Sequence, residues 1–379
     1  MRILISGGGT GGHIYPALAV ARQLYAHYGA ELLFVGDVNG LETEIVPRAG
    51  IPFVGITAGK LRRYLSPRTL TDLGRIPVGM RQANRIAAQF APHAAFTSGG
   101  YVSVPAGFAA RWHGAPLVMH QQDVSPNLAN RLLTPVASRI SVSFPQSLRY
   151  FPKRRTSLAG NPVREEVLAV AGRQTASFKE SFGFELGLPV VLVTGGSQGA
   201  RHLNQVVAGA LPQLLSRCQV LHISGELTYE ETRRAAEPYF LDRPEHRGRY
   251  VLRSYLSDRM PEALAAADLA LCRSGAATLA ELAALGKPSI LVPLPPGFTG
   301  SPQAVNAETF RGAGAADVIL DKDLTVEHLL AVLVPLLENT PRRALMASAV
   351  RALAQPYAAE TLAATVAQLA EAKQKKRGD

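Results

Sequence analysis

Apolar runs of strand length alternate with helical patterns along the chain. Arg2–Ser6 is a short apolar run, and a glycine cluster over Gly7–Gly12 follows it directly. Apolar residues then recur at the spacing of one helix face until Gly29. Further apolar runs at Glu31–Val35 and Ala94–Thr97 are again separated by helical segments. Strands that alternate with helices predict parallel βαβ units.

The same order of elements appears again in the second half of the chain. Pro189–Thr194 is an apolar run, Gly195–Gly199 is a second glycine turn, and a helical pattern follows through Leu214. This repeat predicts an α/β protein with two doubly wound parallel-sheet domains of similar size. We expect the boundary near the turn-rich tripeptide Gly160–Pro162. The expected extents are residues 1–162, 163–357 and 358–379.

The last of these segments is expected to be a helix with a basic tail. Ala358–Ala372 is rich in alanine and leucine, whereas Lys373–Asp379 is mostly charged. We expect the helix to pack back on the first domain, and the charge of the tail predicts that it is solvated and disordered.

Positive charge is concentrated in the first half of the chain. The 379 residues carry a net charge of +11, and residues 1–162 account for all of it, with 17 Lys and Arg against 6 Asp and Glu. Such a surface suits nucleic acid or an anionic membrane. Between Lys60 and Arg85, seven cations and one anion alternate with apolar residues, which favours anionic lipid over a mobile solvated loop. Tyr64 is the only aromatic residue there, so single-stranded nucleic acid is the weaker interpretation.

Cysteine usage and hydropathy narrow the class further. Cys218 and Cys272 have no CxxC spacing, which argues against a zinc site or a disulfide framework. The N-terminal run is too short for a signal peptide, and no apolar stretch approaches 18 residues. We expect a cytosolic protein without a metal or other cofactor that docks on a membrane surface.

The glycine turns predict anion sites. Backbone N–H groups at a strand–helix turn can approach an anion at the positive helix end. Gly7, Gly9 and Gly12 fit the dinucleotide pattern G-x-G-x-x-G, with Asp37 placed to meet a ribose, and tight packing without a ligand is the other alternative. The second glycine turn at Gly195–Gly199 argues against a dehydrogenase, because it indicates two anionic ligands that meet in one cleft.

His13 directly follows the first glycine turn. A helix N-terminus disfavours the imidazolium, so a neutral His13 is a candidate general base. The alternative is a structural histidine that hydrogen-bonds a loop carbonyl.

A third candidate anion site runs from Arg273 to Thr278. Glu281 lies three residues after Thr278, which is the spacing of a capping box, and the residues alone favour that cap over a hydrogen bond to ribose. Gln303 and Asn306 are three residues apart and share a face if they open a helix, where amides suit sugar hydroxyls. Asp321–Asp323 precedes a helical pattern and is interpreted as a cap rather than a Mg²⁺ site.

Five segments together resemble the MurG family of N-acetylglucosaminyltransferases, in glycosyltransferase family 28. They are GGGTGGHIYPALAVA, GGYVSVP, GNPVR, GGSQGARHLNQ and CRSGAATLAE. The resemblance implies a GT-B fold, in which two Rossmann-like domains face each other across a cleft. It also implies transfer of GlcNAc from UDP-GlcNAc to the C4 hydroxyl of MurNAc in lipid I. The product is lipid II, formed with inversion, without a required metal, at the cytoplasmic face of the cell membrane.

The resemblance assigns roles to residues of this chain. It places Thr10, Gly11 and Gly12 near the transferred sugar and the acceptor diphosphate, with His13 as the base and Tyr101 on the acceptor side. On the donor side it assigns Arg164 and Ser197 to the nucleotide, the backbone near Leu256 to uracil, Ala276, Ala277 and Thr278 to a phosphate, Glu281 to ribose, and Gln303 and Asn306 to GlcNAc.

Two departures from the family pattern bear on the sugar site. The family's His-Glu-Gln-Asn is His120-Gln121-Gln122-Asp123 here, so a carboxylate replaces an amide expected near the sugar. Ser301 stands where an acidic residue is common, two places before Gln303. The alternatives are a GT-B glycolipid synthase with a diacylglycerol acceptor, an NAD-dependent oxidoreductase, and, from the charge alone, a nucleic-acid-binding protein.

Overall fold

The chain folds into two compact α/β units. The computed structural model describes residues 1–59, 67–196, 199–295 and 302–378, without the side chains of 67–73 and 377–378. The first unit contains Met1–Arg164 together with Gln355–Asp379, and the second contains Glu165–Ala354. Both units have a parallel sheet in a doubly wound strand order, so the predicted α/β class with two doubly wound domains is confirmed.

The first unit is built on one parallel sheet. Its described strands are β1 (Arg2–Ser6), β2 (Glu31–Asp37), β3 (Phe53–Ile56), β4 (Ala94–Thr97), β5 (Leu117–Gln121), β6 (Arg139–Val142) and β7 (Thr156–Leu158). Their order in the sheet is β3-β2-β1-β4-β5-β6-β7. The helices between them are α1 (Gly11–Tyr28), α2 (Glu42–Arg48), α3 (Pro67–Phe90), α4 (Ser103–Trp112) and α5 (Leu128–Leu133).

The second unit repeats this plan. Its helices α6 (Glu165–Val170) and α7 (Thr175–Ser181) precede the sheet. The described strands are β8 (Val190–Thr194), β9 (Gln219–Ile223), β10 (Tyr250–Arg253), β11 (Leu269–Cys272), β12 (Ser289–Leu291) and β13 (Ala316–Val318), in the order β10-β9-β8-β11-β12-β13. The helices are α8 (Arg201–Leu214), α9 (Tyr229–Asp242), α10 (Met260–Ala266), α11 (Ala276–Leu285), α12 (Gln303–Gly312), α13 (Val326–Glu338) and α14 (Thr340–Ala352).

Both strand orders reverse direction beside the first strand of the unit. The reversal lies between β1 and β4 in the first sheet and between β8 and β11 in the second. Ligands of doubly wound sheets bind outside the carboxyl ends of strands at such a point. The glycine turns that follow β1 and β8 therefore lie where each sheet can hold a ligand.

The last helix, α15 (Ala358–Gly378), belongs to the first unit. It packs beside α1 on one face of the first sheet, and its Leu362 and Val366 lie in the same core as Ile3, Ile5 and Phe34 of β1 and β2. The other face of the sheet packs against α3 and α4. Each fully buried aliphatic side chain stabilises this core by about 1.5–3 kcal/mol relative to exposure.

The charged tail differs from the expectation of disorder. Helix α15 continues to Gly378, and Lys373 Nζ donates to Pro92 O at 2.9 Å and to His113 O at 3.1 Å. His113 follows the end of α4, where a cation interacts favourably with the helix dipole. Among the described residues, no helix is long and apolar enough to span a bilayer.

Candidate functional site

In the first unit, the loops after β1 and β4 pack backbone against backbone. Gly8 N donates to Gly99 O at 3.4 Å, and Ser98 Oγ donates to His13 O at 2.7 Å. Gly100 has a φ of +89°, and a Cβ there would lie 2.2 Å from Gly8 O, so a side chain does not fit. This contact holds the first turn of α1 at the switch point of the sheet. Thr10 and Gly12 are exposed there, and Gly11 is partly buried.

His13 lies in the first turn of α1 and is held by a loop carbonyl. Its Nδ1 is 3.0 Å from Ser98 O, and the Gln122 side-chain amide donates to the same carbonyl at 2.7 Å. An Nδ1–H that donates to Ser98 O leaves the lone pair of Nε2 available. In that tautomer the two sequence alternatives for His13 are compatible, because the structural hydrogen bond uses one ring nitrogen and a base uses the other. In the other tautomer Nδ1 accepts from the Gln122 side-chain amide at 3.0 Å.

Burial lowers the pKa of His13 below its ordinary value of 6.5. The carboxylate of Asp123, the hydrogen bond to Ser98 O and the carboxylate of Glu42 oppose this shift without cancelling it. The imidazole is therefore neutral at pH 7, which is the state that can accept a proton.

Asp37 is not presented to a ligand ribose. It is 6% exposed, its Oδ2 accepts from the Tyr101 hydroxyl at 2.5 Å, and its Oδ1 accepts from Asn39 N at 3.0 Å. The Tyr101 ring also contacts the glycine turn, since a Cβ on Gly9 would lie 2.9 Å from Tyr101 Cε1. The dinucleotide interpretation of this turn is wrong, because the carboxylate it requires is used inside the unit.

Asp123 and Arg164 both lie in the first unit. Asp123 is partly buried in the loop after β5, where its charge acts on His13. The Arg164 guanidinium lies 4.8 Å from the centroid of the Tyr15 ring, on α1. Tyr15 in turn faces the glycine turn, because a Cβ on Gly11 would lie 3.3 Å from Tyr15 Cε2.

In the second unit, the glycine turn after β8 packs against the loop after β9. Gly199 has a φ of +78°, and a Cβ there would lie 2.2 Å from Ser224 O. Ser197, a predicted nucleotide contact, lies outside the described residues. This close packing between the two loops fixes the backbone of the turn.

A buried polar network supports this turn. Asn204 Nδ2 donates to Ser224 O at 2.8 Å, His222 Nε2 is 3.0 Å from Asn204 Oδ1, and His222 Nδ1 is 2.9 Å from the Tyr250 hydroxyl. Burial lowers the pKa of His222 to about 3, so the imidazole stays neutral. The network fixes the loop geometry without introducing a charge.

After β11, helix α11 begins at an earlier residue than the capping-box interpretation assumed. Gly275 precedes the helix, and Ala276, Ala277 and Thr278 form its first turn. Thr278 is therefore inside the helix, and the interpretation of Glu281 as its cap is wrong. Glu281 lies near the middle of α11 and is partly buried.

Arg273 is used inside the second unit rather than presented to an anion. Its Nη1 lies 2.5 Å from Asp321 Oδ1 and also donates to Val292 O at 3.2 Å. The predicted cap at Asp321–Asp323 is wrong as well, because Thr325 immediately precedes α13 and its Oγ1 accepts from His328 N at 3.1 Å. Asp321 instead compensates the buried guanidinium.

The first turn of α12 is joined to the turn after β11. Ser274 Oγ donates to Gln303 O at 2.9 Å, and Asn306 Nδ2 donates to Ser274 O at 3.1 Å. Asn306 is fully buried, whereas Gln303 is partly buried and its Oε1 accepts from Leu294 N at 3.1 Å. The structure thus brings Gln303 and Asn306 beside Ala276–Thr278. Leu256 is partly buried in the loop after β10, and Ser301 lies outside the described residues.

Three residues of the first unit were missed by sequence reasoning. Ser98 and Gln122 hold His13, and Glu42 lies beneath the glycine turn. Their positions carry partial signals, since Ser98 precedes a glycine pair and Gln122 belongs to a motif already singled out. Among the described residues, no group of His, Cys, Asp and Glu side chains could hold a metal ion.

Comparisons with known proteins match both units. The glycosyltransferase family 28 N-terminal domain matches residues 3–142, and the glycosyltransferase family 28 C-terminal domain matches residues 190–362. Two similar relatives are each named UDP-N-acetylglucosamine--N-acetylmuramyl-(pentapeptide) pyrophosphoryl-undecaprenol N-acetylglucosamine transferase. The protein of Desulforudis audaxviator is 40% identical over 98% of this chain and 99% of its own, and that of Bacillus cytotoxicus is 38% identical over 97% and 99%.

Solved structures agree in fold. Acinetobacter baumannii MurG superposes with a TM-score of 0.72 at 27% identity, over 97% of this chain and 99% of that one. Anabaena HepE in complex with UDP and glucose has a TM-score of 0.64 at 15% identity, over 97% and 98%, and shows likeness of fold alone.

Proposed function

Because the chain belongs to glycosyltransferase family 28, and within it to the N-acetylglucosaminyltransferases of the MurG type, we propose that it makes lipid II. It transfers GlcNAc from UDP-GlcNAc to the C4 hydroxyl of MurNAc in undecaprenyl-pyrophosphoryl-MurNAc-pentapeptide (lipid I). The observation that carries this proposal is the near-full-length similarity to the enzymes of that name. The chemistry available at His13 agrees with it.

The proposed reaction is one in-line displacement. His13 Nε2 accepts the proton of the C4 hydroxyl while that oxygen bonds to the anomeric carbon of GlcNAc. The bond from the anomeric carbon to the UDP oxygen breaks, UDP leaves, and the configuration inverts. A positioned base of this kind contributes roughly 10²–10⁴-fold. The neutral His13 and its hydrogen bond to Ser98 O support this role.

The two diphosphates require backbone donors. We assign the acceptor diphosphate to the amides of Thr10–Gly12 and a UDP phosphate to those of Ala276–Thr278, because both segments are first turns of helices. Gln303 is assigned to the GlcNAc hydroxyls, with the buried Asn306 holding the Ser274 carbonyl beside it.

The remaining assignments rest on the family pattern. Glu281 is assigned to ribose, the backbone near Leu256 to uracil, and Arg164 and Ser197 to the nucleotide. Tyr101 and Asp123 are assigned to the acceptor and the sugar. No metal or cofactor takes part in the proposed transfer.

We further propose that the enzyme is peripheral and works at the cytoplasmic face of the cell membrane. The net charge of +11 in residues 1–162 supports attraction of the acceptor half to anionic lipid. Within the Lys60–Arg85 segment, residues 60–66 lie outside the described part of the chain.

An acceptor comparison tests the function. Purified protein is mixed with UDP-GlcNAc and either a short-chain lipid I analogue or a diacylglycerol in detergent, and UDP release is followed. We expect release only with the lipid I analogue. UDP release with diacylglycerol alone would indicate a glycolipid synthase instead. No UDP release from folded protein would overturn the proposed function.

A further inference from the structure

A glutamate side chain is buried directly beneath the first glycine turn. Glu42 is the first residue of α2, and it is 0% exposed. Its Oε1 accepts from Asp37 N at 2.9 Å, and its Oε2 accepts from Gly9 N at 3.3 Å. A buried carboxyl group is costly unless hydrogen bonds satisfy its oxygens, and both oxygens are satisfied here by backbone amides.

The surrounding backbone is shaped to leave room for this group. A Cβ on Gly8 would lie 2.2 Å from Glu42 Oε1, one on Gly40 would lie 2.3 Å from its Cδ, and one on Gly36 would lie 2.5 Å from its Cγ. These glycines come from three separate segments, namely the turn after β1, the end of β2 and the turn before α2. Glu42 therefore occupies a built site rather than a gap in surface packing.

The hydrogen bonds around this site determine which backbone amides of the first glycine turn remain available to a ligand. Gly9 N points inward to Glu42, Gly8 N donates to Gly99 O, and His13 N donates to Thr10 O at 3.0 Å. Within the part of the chain that the structure describes, the amides of Thr10, Gly11 and Gly12 have no internal acceptor. They are the same amides that we assign to the acceptor diphosphate.

A second side chain holds Gly9 from a different direction. The Tyr101 ring lies where a Gly9 Cβ would point, and its hydroxyl is bonded to Asp37, whose own amide is bonded to Glu42. Gly9 has a φ of +85°, a conformation that needs such support. The turn is thus held between Glu42 and Tyr101.

Glu42 also acts on His13 through space. Burial lowers the pKa of His13, and the charges of Asp123 and Glu42 raise it in part. His120 is buried on β5 near this site, and its pKa is lowered to about 4, mainly by burial and to a smaller extent by the charge of His13. Replacing Glu42 by a neutral residue therefore lowers the pKa of His13 further.

We propose that Glu42 is a positioning residue for the acceptor half of the transfer, holding Gly9 inward so that the Thr10–Gly12 amides and His13 face the acceptor. Its carboxylate also keeps the inner side of the turn closed to an anion, so that a phosphate binds from the outer side only. This role rests on the proposed function and assigns no contact with substrate to Glu42.

The test compares Glu42→Gln with Glu42→Asp and with Glu44→Gln. Glu44 is two residues along the same helix, with its side chain 74% exposed and 3.6 Å from Arg48 at the surface, so it is a matched control. In Glu42→Gln one of the two amides faces an NH₂ group, and kcat/KM for the lipid I analogue should fall about 10- to 100-fold, as for a lost buried hydrogen bond. In Glu42→Gln, KM for UDP-GlcNAc should stay within twofold of wild type. In Glu44→Gln, kcat/KM for the lipid I analogue should also stay within twofold of wild type.

The pH profile separates positioning from a general loss of structure. In Glu42→Gln the acidic limb of kcat/KM should move to lower pH, whereas Glu42→Asp, which keeps the charge, should lose activity without that movement. If Glu42→Gln does not fold, wild-type acceptor kinetics in Glu42→Asp would overturn the role. A folded Glu42→Gln with wild-type acceptor kinetics, or with an unmoved acidic limb, would overturn it as well. Inactive wild-type and Glu44→Gln proteins would instead contradict the proposed function.

Discussion

At the scale of single residues, the tautomer of His13 determines which of its nitrogens can act. With a proton on Nδ1, His13 donates to Ser98 O, which also accepts from the Gln122 amide. This tautomer leaves Nε2 as the basic nitrogen, whereas in the other tautomer Nδ1 accepts from Gln122 Nε2 at 3.0 Å. Burial lowers the pKa of the ring, and the proposed general base requires the first tautomer.

His13→Ala should lower kcat at least about 100-fold, because the base that accepts the C4 proton is lost. UDP affinity should stay within twofold of wild type, since His13 is assigned to the acceptor and not to the nucleotide. Steady-state kinetics with the lipid I analogue and a UDP titration measure the two quantities. Near-normal turnover in a folded variant would assign the base to another group.

The sequence could identify His13 but not the residues that hold it. His13 is adjacent to the glycine turn, so a local pattern was sufficient. Ser98, Gln122 and Glu42 come from three other segments and meet His13 or its turn only at the carboxyl edge of the folded sheet. Contacts between segments so far apart leave no periodic signal in the chain.

At the scale of elements, short buried strands were predicted well and helix starts less well. Apolar runs of four or five residues placed β1 and β4 as observed, because buried parallel strands are continuously apolar. The capping residues of α11 and α13 were misassigned, since Thr278 and Asp321 fit the composition of a cap but Gly275 and Thr325 precede the helices. The end of α15 was missed because Lys373 has partners remote in sequence.

Helix α13 offers a direct test of its corrected capping residue. Thr325→Ala removes the side-chain acceptor for His328 N and should destabilise the second unit by about 1 kcal/mol. Asp323→Ala should change the free energy of unfolding by less than about 0.5 kcal/mol, because its side chain does not cap the helix. Urea unfolding compares the two variants. A larger loss in Asp323→Ala would restore the original interpretation.

At the scale of the whole molecule, each unit contains a fully buried neutral histidine. Burial lowers the pKa of His120 in the first unit to about 4 and that of His222 in the second to about 3. Both unfolded side chains titrate near 6.5, so the unfolded chain binds more protons than the folded one at mildly acidic pH. The stability that these residues contribute is complete above pH 6.5 and is lost as the pH falls towards the folded values.

Urea unfolding between pH 7.5 and pH 5 should therefore show a loss of about 2 kcal/mol for each histidine at pH 5, from 1.36 kcal/mol per pH unit. His222→Gln should remove the part of this loss that comes from the second unit. The stability of that unit should then depend less on pH. A second unit whose stability does not change between these pH values would show that His222 accepts a proton in the folded state.

The proposed function depends on one chemical event, the inverting transfer of GlcNAc to the C4 hydroxyl of the acceptor. NMR of the purified product from UDP-GlcNAc and a short-chain lipid I analogue measures both the position and the configuration of the new bond. We expect a β-linked GlcNAc on C4 of MurNAc, formed from the α-linked donor. An α-linked product, a different acceptor hydroxyl, or no product from folded protein would contradict the account.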